Sequence, residues 1–159
     1  MSPQRIALFG LIAAVVLSCL VGCKEKGEPQ ERRRVVVRVV DGDTIILDGQ
    51  ERVRLIGVDT PESVDPRRPV QFFGREAAAF AQELLRGKKV TLGYEGTLQD
   101  RHGRTLAYVY LEDGTLANAE IIRQGYGFAY TKYPFSKMDE FRILEYQART
   151  HKRGLWGVR

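Results

Sequence analysis

Between Val35 and Val58 three short β-branched segments follow one another so closely that only tight turns can join them. Val35 to Val40 is β-branched except for Arg38, and Thr44 to Leu47 resumes just past Asp41-Gly42-Asp43. Asp48-Gly49 is a hairpin signal ahead of Arg52 to Val58, since both residues tolerate the positive φ of tight hairpin turns. Three strands therefore arrive early, and whatever core forms must be built on a sheet.

The period then changes. Ala77, Ala78, Phe80, Ala81, Leu84 and Leu85 make one apolar stripe, predicting a helix over Arg75 to Arg86 that Gly87 stops. Lys88 to Tyr94 reads as a fourth strand and Thr105 to Leu111 as a fifth. A short helix is expected over Ala117 to Gln124. Ser136 with Asp139 three residues on resembles a capping box, opening a last helix that runs to about Lys152. This order fits an α+β fold, a five-stranded oligonucleotide-binding (OB) barrel with about three helices. Other α+β arrangements share the same element order.

The 159 residues suffice for one domain with its own core, expected over 35–159. What precedes it reads differently. Arg5 gives a weakly basic start, and Ile6 to Leu17 is an apolar run too short to span a bilayer comfortably, as in a signal peptide. Leu20-Val-Gly-Cys23 resembles the lipobox of bacterial lipoproteins, in which the peptide is cut before the cysteine and the cysteine is acylated. Residues 1–22 are then a signal peptide, Cys23 the lipidated residue, and 23–34 a charged tether on the extracytoplasmic face, periplasmic or at the cell surface. The Arg32-Arg33-Arg34 cluster either guards the strand that follows or touches anionic headgroups. Cys19 would leave with the signal, so the domain carries no cysteine, which excludes a disulfide framework and a thiolate metal site. The net charge of +5 allows an anionic partner, nucleic acid or membrane alike.

The remaining charged residues carry the chemistry. Asp43 lies in Val40-Asp-Gly-Asp-Thr44, Arg54, Asp59 and Glu62 in Arg54-Leu-Ile-Gly-Val-Asp-Thr-Pro-Glu62, and Arg104 in Asp100-Arg-His-Gly-Arg104. Oxygen donors suit a hard cation and guanidinium forks match phosphate oxygens, so the set points to a metal-assisted nuclease. Each motif has a plainer reading: a turn at Asp41 to Thr44, a snorkelling edge arginine at Arg54, a solvated corner at Arg104. Asp41 and Asp43 would face opposite sides of an extended strand, leaving one of them for a given pocket. An EF-hand is excluded, because the sixth and twelfth positions from Asp41 are Ile46 and Arg52.

Taken in order, Val40 to Thr44, Arg54 to Glu62, Gly103-Arg-Thr-Leu-Ala-Tyr108 and Arg123-Gln-Gly125 closely resemble the staphylococcal nuclease (thermonuclease) family, from about Val35 to Trp156. The resemblance implies one Ca2+ ion held by Asp43, Asp59 and the Thr60 carbonyl, with Glu62 orienting the attacking water. It also implies Arg54 and Arg104 on the scissile phosphate and Tyr130 near the nucleotide. DNA and RNA would be cleaved to 3′-phosphate products, with no obligate protein partner. His102 stands where the type nuclease has a tyrosine, and the Gly154-Leu-Trp156 ending is expected to pack Trp156 on the barrel. Magnesium and manganese suit oxygen ligands as well, and members that keep the barrel but lose the acids only bind.

Overall fold

The computed structural model describes residues 33–63 and 69–158. Cys23 and the expected signal peptide lie outside the described residues. Five strands close into a barrel: β1 (Arg34–Asp41), β2 (Thr44–Leu47), β3 (Arg52–Leu55), β5 (Lys89–Gly93) and β6 (Thr105–Leu111), ordered β1-β2-β3-β6-β5 and back to β1. All pairs are antiparallel except β3 with β6, which run parallel. Closure removes the sheet edges, and inward residues such as Val36, Ile45, Leu47, Val53, Leu55 and Val109 fill the interior almost without exposure.

The predicted helices form with slightly shifted ends. α1 spans Gly74–Leu85 and α2 Ala117–Arg123, each within a residue of the expected limits. α3 covers Met138–Thr150, and the expected capping box is not made. Ser136 instead donates its amide (2.9 Å) and its hydroxyl to the two carboxylate oxygens of Glu95, across the chain. A charged acceptor draws that hydroxyl more strongly than a backbone amide does. The first strand also starts one residue earlier than expected. Arg34 is held by Asp48 and Glu51, each at 2.7 Å, so it belongs to the barrel and not to a solvated tether.

The expected third strand divides. Arg52 to Val58 breaks at Ile56-Gly57, after which β4 (Val58–Asp59) leaves the barrel and pairs antiparallel with β7 (Phe128–Ala129). Gly57 has φ +72°, and a Cβ there would meet the Phe135 ring at 2.6 Å, so both conformation and space require glycine. β7 is only two residues long and leaves no alternation to read. Asn118, fully buried on α2, ties this break to the barrel. It accepts from the Val109 amide (2.9 Å) and donates to the Ile56 (2.9 Å) and Ala107 (3.3 Å) carbonyls.

Replacing Asn118 with alanine strands the Val109 amide and the Ile56 carbonyl away from water. Each such group costs about 1–3 kcal/mol, so Asn118→Ala should lose about 2–6 kcal/mol in total. The midpoint of urea unfolding, read with an unchanged m-value, checks this.

Candidate active site

The site is assembled where β4 leaves the barrel. Arg54 sits mid-strand on β3, opposite Thr44 of β2 and beside Leu106 of β6. Its side chain is only 14% exposed and does not snorkel to solvent. One guanidinium nitrogen lies 2.6 Å from Asp43 Oδ2 and the other 3.2 Å from Asp59 Oδ1, so Arg54 joins two of the expected metal ligands. Truncating one partner of a buried pair costs about 3–5 kcal/mol. That magnitude explains why an arginine is tolerated here only between two acids.

Asp43 is buried and saturated with donors. The Thr60 amide and hydroxyl each reach its Oδ2 at 3.1 Å, and the Thr44 hydroxyl reaches Oδ1 at 3.0 Å. Thr44 in turn accepts from Arg104 Nη1 at 3.4 Å, which links the second arginine to the same cluster. Arg104 is set by Asp100, whose Oδ2 takes both Nε and Nη2 at 2.7 Å. Burial would raise the Asp100 carboxyl, but the amides of Arg104 and His102 and the Arg104 guanidinium outweigh it and hold it below the usual range. Arg104 is thus a braced group and not a solvated corner.

The expectation that Asp41 and Asp43 face opposite sides is not met. The chain does not stay extended: Asp41 pairs with Thr44 around a tight turn at Gly42-Asp43. Asp41 then accepts from the Ser63 hydroxyl at 2.8 Å and from the Gly42 amide at 2.9 Å, while Asp43 meets Thr60. Both carboxylates address the same 60–63 segment. Burial, and then the charges of Asp43 and Glu62, push Asp41 up to about 6, despite the Ser63 and Gly42 hydrogen bonds. Asp59 also shifts upward, by burial first, with Arg54 opposing and Asp43 and Glu62 adding to it; half of its side chain is exposed, so solvent screens the effect. Asp41 was missed as a site residue, although its place in Asp-Gly-Asp was the available signal.

Glu62 is held by its backbone, donating to Gln71 Oε1 (3.0 Å) and accepting from the Gln71 amide (2.9 Å), and its Oε1 takes the Ser63 amide at 3.0 Å. Among the described residues, no three acidic, His or Cys side chains close around one point as a ready metal cage. The donor chemistry nevertheless fits a hard cation. Four carboxylates, Asp41, Asp43, Asp59 and Glu62, lie near one another, Arg54 is paired with Asp43 and Asp59, and burial first, then the neighbouring acids, push Asp41 and Asp59 toward protonation. A divalent ion would offset that concentration of negative charge, and oxygen donors of this kind suit calcium, magnesium or manganese.

Arg54, Asp59, Arg104 and Tyr130 share the wall of one groove of about 710 Å³. Tyr130 is half-buried there, its amide on the Gly57 carbonyl (2.9 Å) and its ring 6.1 Å from that of Tyr133. His102 also lines the groove; its Nε2 accepts from Arg101 at 3.2 Å. Trp156 stands edge-on to Phe128 of β7 (5.5 Å, 87°) beneath the Arg149 guanidinium (4.2 Å).

Residues 52–158 match the family described as Staphylococcal nuclease homologue. The chain is 48% identical over 117 residues to the thermonuclease of Staphylococcus intermedius, covering 72% of this chain and 67% of that one. It is 37% identical over 168 aligned positions to the thermonuclease of Staphylococcus hyicus, covering 98% and 99%. An uncharacterized endonuclease of Escherichia coli O157:H7 is 38% identical over 124 residues, covering 76% and 74%.

The raised Asp41 carboxyl has a stability signature. The folded protein holds this proton more tightly than the unfolded chain, so the stabilisation is complete below the ordinary value of 3.8 and is lost as pH rises through about 6. Asp41→Asn keeps an acceptor for Ser63 and Gly42 without the charge. In chelator it should gain stability over the native protein as pH rises from 4 to 7, by up to about 3 kcal/mol. Urea midpoints across that range check the sign.

Proposed function

Because this chain belongs to the staphylococcal nuclease family and is a nuclease, we propose that it is a calcium-dependent phosphodiesterase cleaving DNA and RNA to 3′-phosphate products. One observation carries the reading: Arg54 joins Asp43 to Asp59 and Thr44 links Asp43 to Arg104, and Arg54, Asp59 and Arg104 line the wall of a single groove. Asp43, Asp59 and the Thr60 carbonyl would hold the ion. When bound, calcium supplies Lewis-acid polarisation of a phosphoryl oxygen. Glu62 orients the attacking water and accepts its hydrogen bond. Arg54 and Arg104 donate to the equatorial oxygens, where negative charge grows as the water oxygen bonds to phosphorus and the 5′ oxygen departs. Tyr130 offers its ring to the nucleotide alongside. The competing reading, a barrel that only binds, has no use for acids placed around an arginine in this way.

The reading extends to location. The lipobox-like Leu20-Val-Gly-Cys23 supports a chain acylated at Cys23 and held on the extracytoplasmic face of a membrane. Such a tether keeps a nuclease away from the cell's own genome.

Single-stranded DNA and RNA incubated with the full chain in detergent should be cut in calcium and left intact in chelator, with 3′-phosphate ends found by mass spectrometry. Arg104→Ala should lose about 10²–10³ in kcat, the cost of removing one preorganised donor, and Glu62→Gln should fall as well. DNA that is bound yet intact in every metal tested sinks the enzyme reading in favour of the binding module. Separately, Cys23→Ser should move the protein from the membrane fraction to the soluble fraction, and an unchanged distribution sinks the anchor.

A further inference from the structure

Asp59 is carried outside the barrel strands, with its side chain tied back to Arg54 of β3 at 3.2 Å. It ends β4, a two-residue strand whose partner is the equally short β7, in the register Val58 to Ala129 and Asp59 to Phe128. A pair of strands this short has too few hydrogen bonds to fix a side chain, and an isolated two-stranded ribbon is marginal in water. Arg54 and the two Thr60–Asp43 hydrogen bonds hold this segment from the barrel side, and a second set of contacts holds β7 from behind.

Glu145 of α3 stands against β7 with its side chain 14% exposed. Its two oxygens divide their work. Oε2 accepts the Ala129 amide at 3.0 Å, and Oε1 is gripped by Arg149 through Nε at 3.1 Å and Nη2 at 2.5 Å. The same Arg149 lies over the Trp156 ring, and Trp156 meets Phe128 edge-on. Both residues of β7 are therefore braced from the side away from Asp59. The approach on the other side is close. A Cβ at Gly127 would come within 3.1 Å of both the Asp59 carbonyl and Thr60 Cγ2, so a shift of β7 is passed directly to the Asp59-Thr60 backbone. Beyond Ala129, the Tyr130 amide bonds the Gly57 carbonyl and extends the ribbon by one more contact.

We infer that Glu145 is a positioning residue for the nuclease site, its carboxylate fixing β7 and, through it, the place of Asp59 and Thr60. This rests on the reading of Asp59 and Thr60 as calcium ligands. A carboxylate suits the role because a charge-assisted hydrogen bond to a backbone amide is shorter and stronger than a neutral one, and Arg149 holds the acceptor in one orientation.

The test is calcium titration by calorimetry on the full chain in detergent, with kcat and KM on single-stranded DNA read in parallel. Glu145→Ala should weaken calcium by about tenfold, the low end of losses for groups behind a metal ligand, while Glu145→Gln stays within about threefold. Leu144→Ala empties core space on the same helix without touching the brace, and below its melting temperature it should keep the native calcium affinity. If Glu145→Ala does not fold, Arg149→Met frees the carboxylate instead and should weaken calcium by about threefold. Native calcium affinity in the folded Glu145→Ala protein, or in Arg149→Met where that variant stands in for it, overturns the inference even if the melting temperature falls. Asp59→Ala separates the two levels. If it loses calcium while Glu145→Ala keeps it, only the positioning role fails. If Asp59→Ala binds calcium as the native chain does, the ligand reading fails and takes this inference with it.

Discussion

A guanidinium carried on a barrel strand and cut off from most solvent must find anionic partners, and Arg54 finds two. Asp43 arrives from the turn between β1 and β2, and Asp59 from β4 after the chain breaks out of the barrel. Much of the surrounding architecture serves that meeting. The Gly57 turn lets β4 leave, Asn118 fastens the carbonyl at the break, and Thr60 locks the returning segment onto Asp43 with two hydrogen bonds. An unpaired Arg54 would cost as much as several ordinary hydrogen bonds. The ion pair is thus a constraint on the fold before it is a feature of the site.

The parts legible in the sequence are those whose cause is local. β-branched runs between Asp-Gly turns predict β1 to β3, and the apolar stripe from Ala77 to Leu85 predicts α1 to within a residue. What escaped has a distant cause. Ser136 looks like a helix cap until Glu95, forty-one positions away, takes its hydroxyl. Asp41 looks turned away from Asp43 until the chain bends between them. β7 has two residues and no pattern, yet it pairs with the strand that carries Asp59. Periodicity reports what a segment does alone and is silent about partners supplied by the rest of the fold.

For the site the balance is similar. The residue types of Asp43, Arg54, Asp59, Glu62 and Arg104 suggested a cation and a phosphodiester, and their order suggested the family. Which of them touch could not be read. The structure joins Asp43, Arg54 and Asp59 directly, reaches Arg104 through Thr44, and adds Asp41 and Asp100, both hidden behind plausible turn roles. Trp156 was legible as a packing residue, but its neighbours turn out to be Phe128 and Arg149.

A chain proposed to act on a polyanion with the help of a small cation faces opposing electrostatic demands. The chain as a whole is cationic, +5 by formal charge, which favours approach of a nucleic acid over distances of about a screening length, roughly 10 Å at 0.1 M salt. At the acid cluster the local sign is reversed: Asp41, Asp43, Asp59 and Glu62 lie close enough that their mutual charges add to the burial that raises Asp41 and Asp59. The two fields coexist because they act at different ranges. Arg101, Arg104 and Lys132 line the groove where a phosphate chain would run, while Asp41 and Asp43 at the β1–β2 turn meet Asp59 and Glu62 at the end of β4, Asp59 alone of the four lining the groove. Arg54 stands at the boundary, charged like the groove and paired like the cluster. A substitution there disturbs both fields at once, so its effects on metal and on phosphate are coupled by geometry and will not add as independent terms.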